Sequence, residues 1–476
     1  MSNITHDQQP LKLVEPNPRR RLDGRNWLKL NRAQDLLEAI AWLSIVWVVF
    51  TFLIDGGANQ VSDVTTGLNA IERLTALVAT DLLLIQTLLI SRVPWLDKLY
   101  GHDRATATHK KLGKPILYLV LAHFLAVIAG YSIADGKNPV EELLVLFNTF
   151  PDLVWATIAL VLMILVVITS IKISRKKLSY EAWYLVHLLG YGSVMLAIPH
   201  QINVGTDIAG KPMAEAFWIA AYVFVALNIV WFRFLGPIVM SASKNLRVSQ
   251  VVRESSDSVS ITISGKNMDS FAAKSGQFFI VRVLTGTQWW RAHPFSISAA
   301  PTKNTIRFTI GERGDDTALL QHIKPKTPVI LEGPYGVFTE ERRSKNDVVL
   351  IAAGIGAPPI RALAENIAAK PGEVSIIYRV RDKEDAPLIS ELKEIARRRG
   401  FYLHILSGNR RSSHSWLPKE IYEHLSDEKA LLTMVPKVAN SDVYVCGPVA
   451  FTRSVKKSLQ QVGTGERQIH AEEFAW

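Results

Sequence analysis

"HKKLGKPILYLVLAH", residues 109–123, opens and closes with histidine and is almost wholly apolar between Pro115 and Ala122. A polar ring in a segment built for lipid needs a partner, because an unsatisfied polar group in hydrocarbon costs several kcal/mol. Fourteen residues of α-helix rise about 21 Å and complete nearly a whole number of turns, so His109 and His123 share one face at two depths. A second apolar segment repeats the layout with His187 and His200, thirteen residues and about 20 Å apart. If both segments run the same way, His109 matches His187 in depth and His123 matches His200. Each pair could then ligate one haem iron axially, giving two stacked b-type haems. Thirteen residues leave two ideal helix positions about 140° apart, so overwinding or a kink at Gly190, Gly192 and Pro199 is expected. The competing account is four ordinary buried histidines bonded to backbone or hydroxyls. It suits one imidazole better than four at two matched depths.

The rest of the chain fits a membrane part joined to a soluble part. Of 476 residues, 48% are hydrophobic and 20% charged, with a net charge of +11. Six apolar segments, about 36–54, 71–90, 115–133, 153–171, 182–200 and 216–235, are long enough to span a bilayer. Seventeen Lys and Arg residues lie in 1–34, 91–114 and 171–178, against two in 55–70, 134–150 and 201–214. That bias places the first set in the cytoplasm, with both termini, in a multi-pass protein of the cell membrane. Basic residues set between apolar spans are a topology signal, so nucleic acid is not an expected partner. The single cysteine, Cys446, excludes a disulfide framework and a thiolate metal cage. Residues 1–34 lack an apolar h-region, so no cleaved signal peptide is expected. Two charges fall inside the second span. Asp81 reads as a paired structural group, and Arg73 as a partner either of a propionate on the outer haem or of an anion formed beside it. His102, in the basic loop before the third span, reads as a solvated surface residue.

Beyond Leu246 short β-rich runs such as "VSITIS" and "TIRFTIGE" alternate with turns and predict a small antiparallel barrel. From Asp347 strand and helix patterns alternate, as in a parallel sheet with crossover helices. The domains are a basic segment 1–34, a six-helix bundle 35–240, a barrel 241–342 and an α/β domain 343–476. In "WWRAHPFSISAAP", residues 289–301, the Phe295-Ser296 pair suits a flavin: the ring stacks on isoalloxazine and the hydroxyl bonds near its reactive nitrogen. Gly314 and Thr317 of "GERGDDTALL" enter a helix whose N-terminus could bind pyrophosphate. In "AAGIGAPPI", 352–360, Gly354 permits a tight turn, Gly356 a close phosphate approach, and Pro359 the first helical turn. Arg379 and Arg381, in "YRVRD", could bind the extra ribose phosphate of NADPH or simply be solvated, as could Arg410 and Arg411. Cys446 ends an apolar strand in "VCGP", and Phe474 and Trp476 are possible covers for a flavin face.

In this order the motifs resemble the ferric reductase and NADPH oxidase superfamily of membrane flavocytochromes, over about residues 35–476. The resemblance implies a ferredoxin–NADP reductase-like module after the bundle. NADPH would give a hydride to FAD, and single electrons would pass through inner and outer haem to oxygen, giving superoxide, or to ferric chelates. It also implies that His109 and His187 hold the inner haem, and His123 and His200 the outer. His293, Phe295, Ser296, Gly314 and Thr317 would hold FAD. Gly354, Gly356, Pro359, Arg379 and Cys446 would position NADPH, with Phe474 stacked on the flavin. The chain departs from the family pattern in two places. Val127 stands where eukaryotic NADPH oxidases have a further histidine, and Gly311 where related flavin domains often have lysine. Two alternatives stay open: a periplasmic or extracellular protein as electron acceptor, and a membrane-anchored flavin reductase with a haem-sensing bundle.

Overall fold

The structure is a computed structural model and describes residues 24–171, 177–286 and 289–474. Two compact units result. One comprises Ala33–Leu96 and Asp103–Arg233; the other holds Asp97–His102 and the chain from Phe234 onward.

The first unit is helical. The helices of this part of the chain are α1 (Gly24–Ile54), α2 (Val64–Leu89), α3 (Pro94–Tyr100), α4 (His102–Asp135), α5 (Pro139–Thr149), α6 (Asp152–Ser170), α7 (Tyr180–Asn203) and α8 (Pro212–Asn228), of which the start of α1 through Arg32, α3 from Asp97 and His102 count with the other unit. Five helices are long and apolar enough to cross a membrane, and α2 with the sharply bent α3 makes a sixth. Each of the six expected segments therefore lies on a helix. Local chemistry sets the starts. Asp63 caps α2, accepting from the Thr66 N–H at 2.9 Å, while its own N–H donates to Thr66 Oγ1. Ser179 caps α7, and Pro139 and Pro212 open α5 and α8, where a missing N–H costs nothing. Trp42, Leu43, Trp47 and Phe50 on α1 are exposed, as lipid contact requires.

The glycines of α7 pack against a neighbouring helix. The helix runs unbroken from Tyr180 to Asn203. Gly190 lies against Val166 and Gly192 against Leu162, and Ser193 donates to the Ala159 carbonyl at 2.7 Å. They form a close seam with α6. Only Pro199, near the C-terminus, lacks a backbone donor.

The second unit begins with a π-helical stretch, Ile229–Leu235, whose last two residues belong to it, followed by α9 (Gly236–Lys244). Next come two three-stranded antiparallel sheets. β1 (Arg247–Ser255), β2 (Ser258–Ser264) and β5 (Thr305–Gly311) form one; β4 (His293–Ser296), β3 (Phe278–Val283) and β6 (Val329–Tyr335) form the other. Bridges Ile297–Phe308 and Arg247–Pro328 join the sheets into the expected barrel around Phe279, Phe308 and Ile263. A five-stranded all-parallel sheet follows, in the order β11 (Ile469–Phe474), β10 (Asp442–Pro448), β7 (Val348–Ala353), β8 (Val374–Val380), β9 (Tyr402–Ser407). Its crossover helices include α11 (Ala357–Asn366), α12 (Ile389–Arg399) and α14 (Val449–Gln461), while α10 (Asp315–Leu320) and α13 (Asp427–Met434) are shorter. The chain builds outward from β7 to β9 and then returns to the other side at β10. The crevice between the C-terminal ends of β7 and β10 is a topological switch point, where such sheets bind ligands. His102 is not a solvated residue: its Nδ1 lies 3.5 Å from the Asp97 carboxylate and its ring packs beside Phe278 and Tyr335.

Candidate functional site

In the helical unit, α4 and α2 hold two imidazoles in the same way. His109 Nδ1 donates to the Gln86 carbonyl at 3.0 Å, and Gln86 Nε2 donates back to the His109 carbonyl at 3.0 Å. His123 Nδ1 donates to the Glu72 carbonyl at 3.0 Å. A carbonyl can only accept, so both rings carry their proton on Nδ1 and leave Nε2 bare, the tautomer a metal-ligating histidine needs. On α7, His187 Nδ1 lies 3.2 Å from Ser170 Oγ, and the ring stacks on Trp183 at 4.9 Å. The His109 and His187 ring centres are 6.0 Å apart at an interplanar angle of 72°. His200 lies within electrostatic reach of His123, and its buried Nδ1 has no hydrogen-bond partner. The four expected histidines thus meet as two pairs, one from α4 and one from α7 in each. Among the described residues no group of three or more His, Cys, Asp or Glu is placed to hold a metal ion.

The charges of the second span are both paired. Asp81 accepts from Ser44 Oγ at 3.0 Å, as a structural group would. Arg73 makes a bidentate pair with Asp207, its Nε and Nη2 donating at 2.8 and 2.5 Å, and its Nη1 donates to Gln60 at 3.4 Å. Phe52 covers the guanidinium at 5.4 Å. Sequence reasoning missed Asp207. It lies 134 residues away, in the loop before α8, with nothing in its surroundings to mark it.

In the barrel, Phe295 and Ser296 face opposite ways. Phe295 is 8% exposed and belongs to the barrel core, which leaves little of its ring for stacking on isoalloxazine. The alternation of a strand puts Ser296 on the other face, its Oγ buried without a partner. His293 also has a buried Nε2 without a partner, and burial, then Arg291, pushes its pKa below the ordinary value. Gly314 has φ +90 and precedes α10; Thr317 Oγ1 accepts from the Arg313 N–H at 2.5 Å and donates to the Gly314 carbonyl at 3.2 Å. A Cβ on Gly311 would stand 3.0 Å from the Ile355 side chain, which accounts for the missing lysine.

Around the switch point Gly354 makes the expected tight turn, and Gly356 departs from its expected role. Gly354 has φ +51 and open space around it, so it is the one a phosphate could approach; Tyr378 Oη donates to its carbonyl at 3.2 Å. A Cβ on Gly356 would meet the Cys446 carbonyl at 2.2 Å, so that glycine serves the contact between the β7 and β10 loops instead. Pro359 sits in the first turn of α11 as expected. Cys446 is fully buried, and burial, then Glu472, raises its thiol pKa well above the ordinary range. Glu472 pairs with Cys446 in the sheet register and is itself buried; its place among "HAEEF" gave no signal. Phe474 ends β11 opposite Pro448, and Trp476 lies outside the described residues.

The paired arginines separate. Arg379 is buried and donates to the carbonyls of Trp416, Val380, Leu406 and Gly408, so its guanidinium is a structural knot, not a phosphate ligand. Arg381 is exposed, with no side-chain hydrogen bond or ion pair among the described residues. Arg411 is likewise held by the Leu425, Ile421 and Tyr422 carbonyls. Between barrel and sheet lies a charged cluster. Arg307 of β5 makes a bidentate pair with Glu391 of α12, at 2.7 and 2.8 Å. Arg361 of α11, 1% exposed, meets Glu391 at 2.6 Å and also Glu365, which accepts from the Ala300 N–H at 2.6 Å. It ties β5 and the segment after β4 to the helix that leaves the Gly354 loop.

Three family models match the chain: the ferric reductase like transmembrane component at residues 75–198, an FAD-binding domain at 242–339 and an oxidoreductase NAD-binding domain at 350–457. Among curated proteins, the ferredoxin reductase component of 3-ketosteroid-9-alpha-monooxygenase from Rhodococcus rhodochrous is 26% identical over 49% of this chain and 66% of its own length. The chain therefore spans just under two thirds of that relative. A flavohemoprotein from Vibrio cholerae is 24% identical over 57% of this chain and 71% of its own. Among solved structures, the flavohem-like FAD/NAD binding domain of nitric oxide dioxygenase from Vibrio cholerae aligns over 48% of this chain and 98% of its own, with 20% identity and a TM-score of 0.39. The chain thus carries both an FAD-binding and an NAD-binding domain. Those two domains joined to a ferric reductase-like membrane part match the ferric reductase and NADPH oxidase-like superfamily.

Proposed function

We propose that the chain moves electrons from cytoplasmic NADPH, by way of FAD and two b-type haems, to oxygen or a ferric chelate on the far side of the cell membrane. The observation that supports it most is the spacing of His109 and His187. Taking about 2 Å for each metal–nitrogen bond and about 1 Å from nitrogen to ring centre, two imidazoles on one iron have centres roughly 6 Å apart. Their observed separation is 6.0 Å. The bare Nε2 atoms of His109 and His123, and the partnerless Nδ1 of His200, agree with the same use.

When bound, FAD accepts a hydride and releases electrons singly, and bis-histidine haem takes them one at a time. The chain's own residues prepare for this. The Gln86 and Glu72 carbonyls fix the α4 imidazoles in the ligating tautomer. Ser296 offers its Oγ at the flavin side, with Gly314 and Thr317 at a helix start suited to pyrophosphate. Gly354 offers open backbone to the nucleotide phosphates, and exposed Arg381, not Arg379, is the ligand for the ribose phosphate that distinguishes NADPH. Buried Cys446 and Glu472 stand at the strand ends beside the crevice. Outward transfer also gains about 2.3 kcal/mol per electron for each 100 mV of inside-negative potential.

The test is an anaerobic absorption spectrum of the purified, FAD-loaded protein before and after NADPH. Reduced b-type bands that revert when oxygen enters are the expected result. Flavin bleaching with the haem bands left oxidised would overturn the reading and favour an anchored flavin reductase.

A further inference from the structure

Arg73 is the residue whose surroundings least resemble its expected task. It follows Glu72, whose carbonyl holds His123, so it stands at the level of the outer histidine pair. A guanidinium there could stabilise an anion formed at the electron exit. Its donors are already engaged: Nε and Nη2 on Asp207, Nη1 on Gln60, and one face on Phe52. Arg73 and Asp207 are each only 8% exposed. Other charged groups lie nearby. Lys211 lies 3.9 Å from Asp207 and 2.8 Å from Asp55, and the Glu72 carboxylate lies 3.8 Å from His123 Nδ1.

We propose that Asp207 is a specificity-determining residue of the electron exit: it neutralises Arg73 and so withholds cationic stabilisation from an anionic one-electron product. This inference rests on the proposed haem pathway. One NADPH yields one NADP+, one proton and two electrons, and each electron converts one oxygen to one superoxide, with no proton taken up. Superoxide is an anion formed from a neutral acceptor, so it is the product that gains from a free guanidinium. A bulky ferric chelate cannot reach an arginine this buried and is indifferent to that gain. The Asp207 carboxylate also places a negative charge within electrostatic reach of Glu72, whose carbonyl holds His123, which favours the more positive ferric state and lowers the outer potential. Asp207 therefore shifts the exit away from superoxide and toward acceptors reduced at a distance.

The experiment uses full-length, haem- and FAD-loaded protein in nanodiscs, comparing wild type with Asp207→Asn, Asp207→Glu, Arg73→Gln and the double variant Arg73→Gln/Asp207→Asn. Anaerobic titration of the haem bands reads the potentials. Superoxide formation and reduction of a bulky ferric chelate read the partition. Asp207→Asn should raise the midpoint of one of the two haems by about 59 mV, a tenfold change in its one-electron equilibrium. It should also increase the superoxide-to-chelate ratio several-fold, while Asp207→Glu stays close to wild type. Arg73→Gln should lower the same midpoint, and the double variant should return it. If Asp207→Asn fails to assemble, Arg73→Gln decides alone: a fall in the midpoint supports the inference, and no change overturns it. Intact haem spectra with neither potential nor ratio moved by Asp207→Asn would also overturn it. Wild type without a haem spectrum would defeat the pathway itself, a separate and visible failure.

Discussion

The helical unit and the flavin–nucleotide unit handle buried polar groups in opposite ways. In the helical unit three of the four prospective ligands have a prepared side: His109 and His123 are tied to backbone carbonyls, and His187 lies beside a serine, while His200 Nδ1 has no partner. In the soluble unit the groups nearest the chemistry are buried and left without a partner, as with Ser296 Oγ and His293 Nε2. A metal site must fix a tautomer and an angle before the metal arrives, so its second contacts are protein. An organic cofactor can complete hydrogen bonds the protein leaves open. The lesson extends to the arginines. Arg73, Arg379 and Arg381 all sit near chemistry, yet only Arg381 is exposed and uncommitted; Arg73 is held by a side chain and Arg379 by four carbonyls.

The sharpest way to break the comparison is to remove a ligand from the helical unit. His123→Ala should abolish NADPH-driven reduction of the outside acceptor and remove about half of the haem absorbance, because each iron needs two imidazoles. Ferricyanide reduction at the flavin should persist, so the two assays together separate the units. A smaller effect is expected where the soluble unit does bury full charge. Glu391→Gln, by loosening a buried cluster with two arginines, should cost about 3–5 kcal/mol in the unfolding of that unit. Chemical denaturation followed by flavin fluorescence would measure it.

The arginine contrast comes next. Arg381→Gln should weaken NADPH binding about 10–100-fold through the lost charge-assisted contact and leave NADH unchanged. Arg379→Gln should lower thermal stability without discriminating between the two nucleotides. Equal loss for NADH and NADPH with Arg381→Gln would undo the assignment. The smallest effect concerns pH. Burial raises the Glu254 pKa above its ordinary 4.5, so the folded unit binds a proton that the unfolded chain releases. Stability from this group is present below about pH 4.5 and declines as pH rises through the higher folded value. Glu254→Gln should flatten that part of the stability–pH curve, read as Tm across a pH series.

The long-range layout was legible because it follows from period and length. Six apolar runs became helices, and the fourteen-residue interval put His109 and His123 on one face, since both depend only on helix geometry. The alternating pattern after Asp347 gave a parallel sheet for the same reason. What escaped was set by contacts across the sequence. Asp207 is joined to Arg73 over 134 residues, and the function of Gly356 depends on a carbonyl at Cys446. Strand alternation alone would have put Phe295 and Ser296 on opposite faces, but which face met the core required the bridge from Ile297 to Phe308. That Gly190 and Gly192 pack against Val166 and Leu162 of the neighbouring helix was likewise invisible in the sequence.

The anchors of His109 and His123 are main-chain carbonyls, at Gln86 and Glu72, which are themselves fourteen residues apart on α2. Every amino acid carries a carbonyl. A substitution at either anchor therefore leaves the acceptor in place, and only a change in helix register, through an insertion or deletion between the two positions, moves it. Ligand geometry in this bundle is thus tolerant of point mutation and intolerant of length change. Among its relatives α2 should tolerate substitution at position 72 more readily than any change in its count of residues between the two anchors.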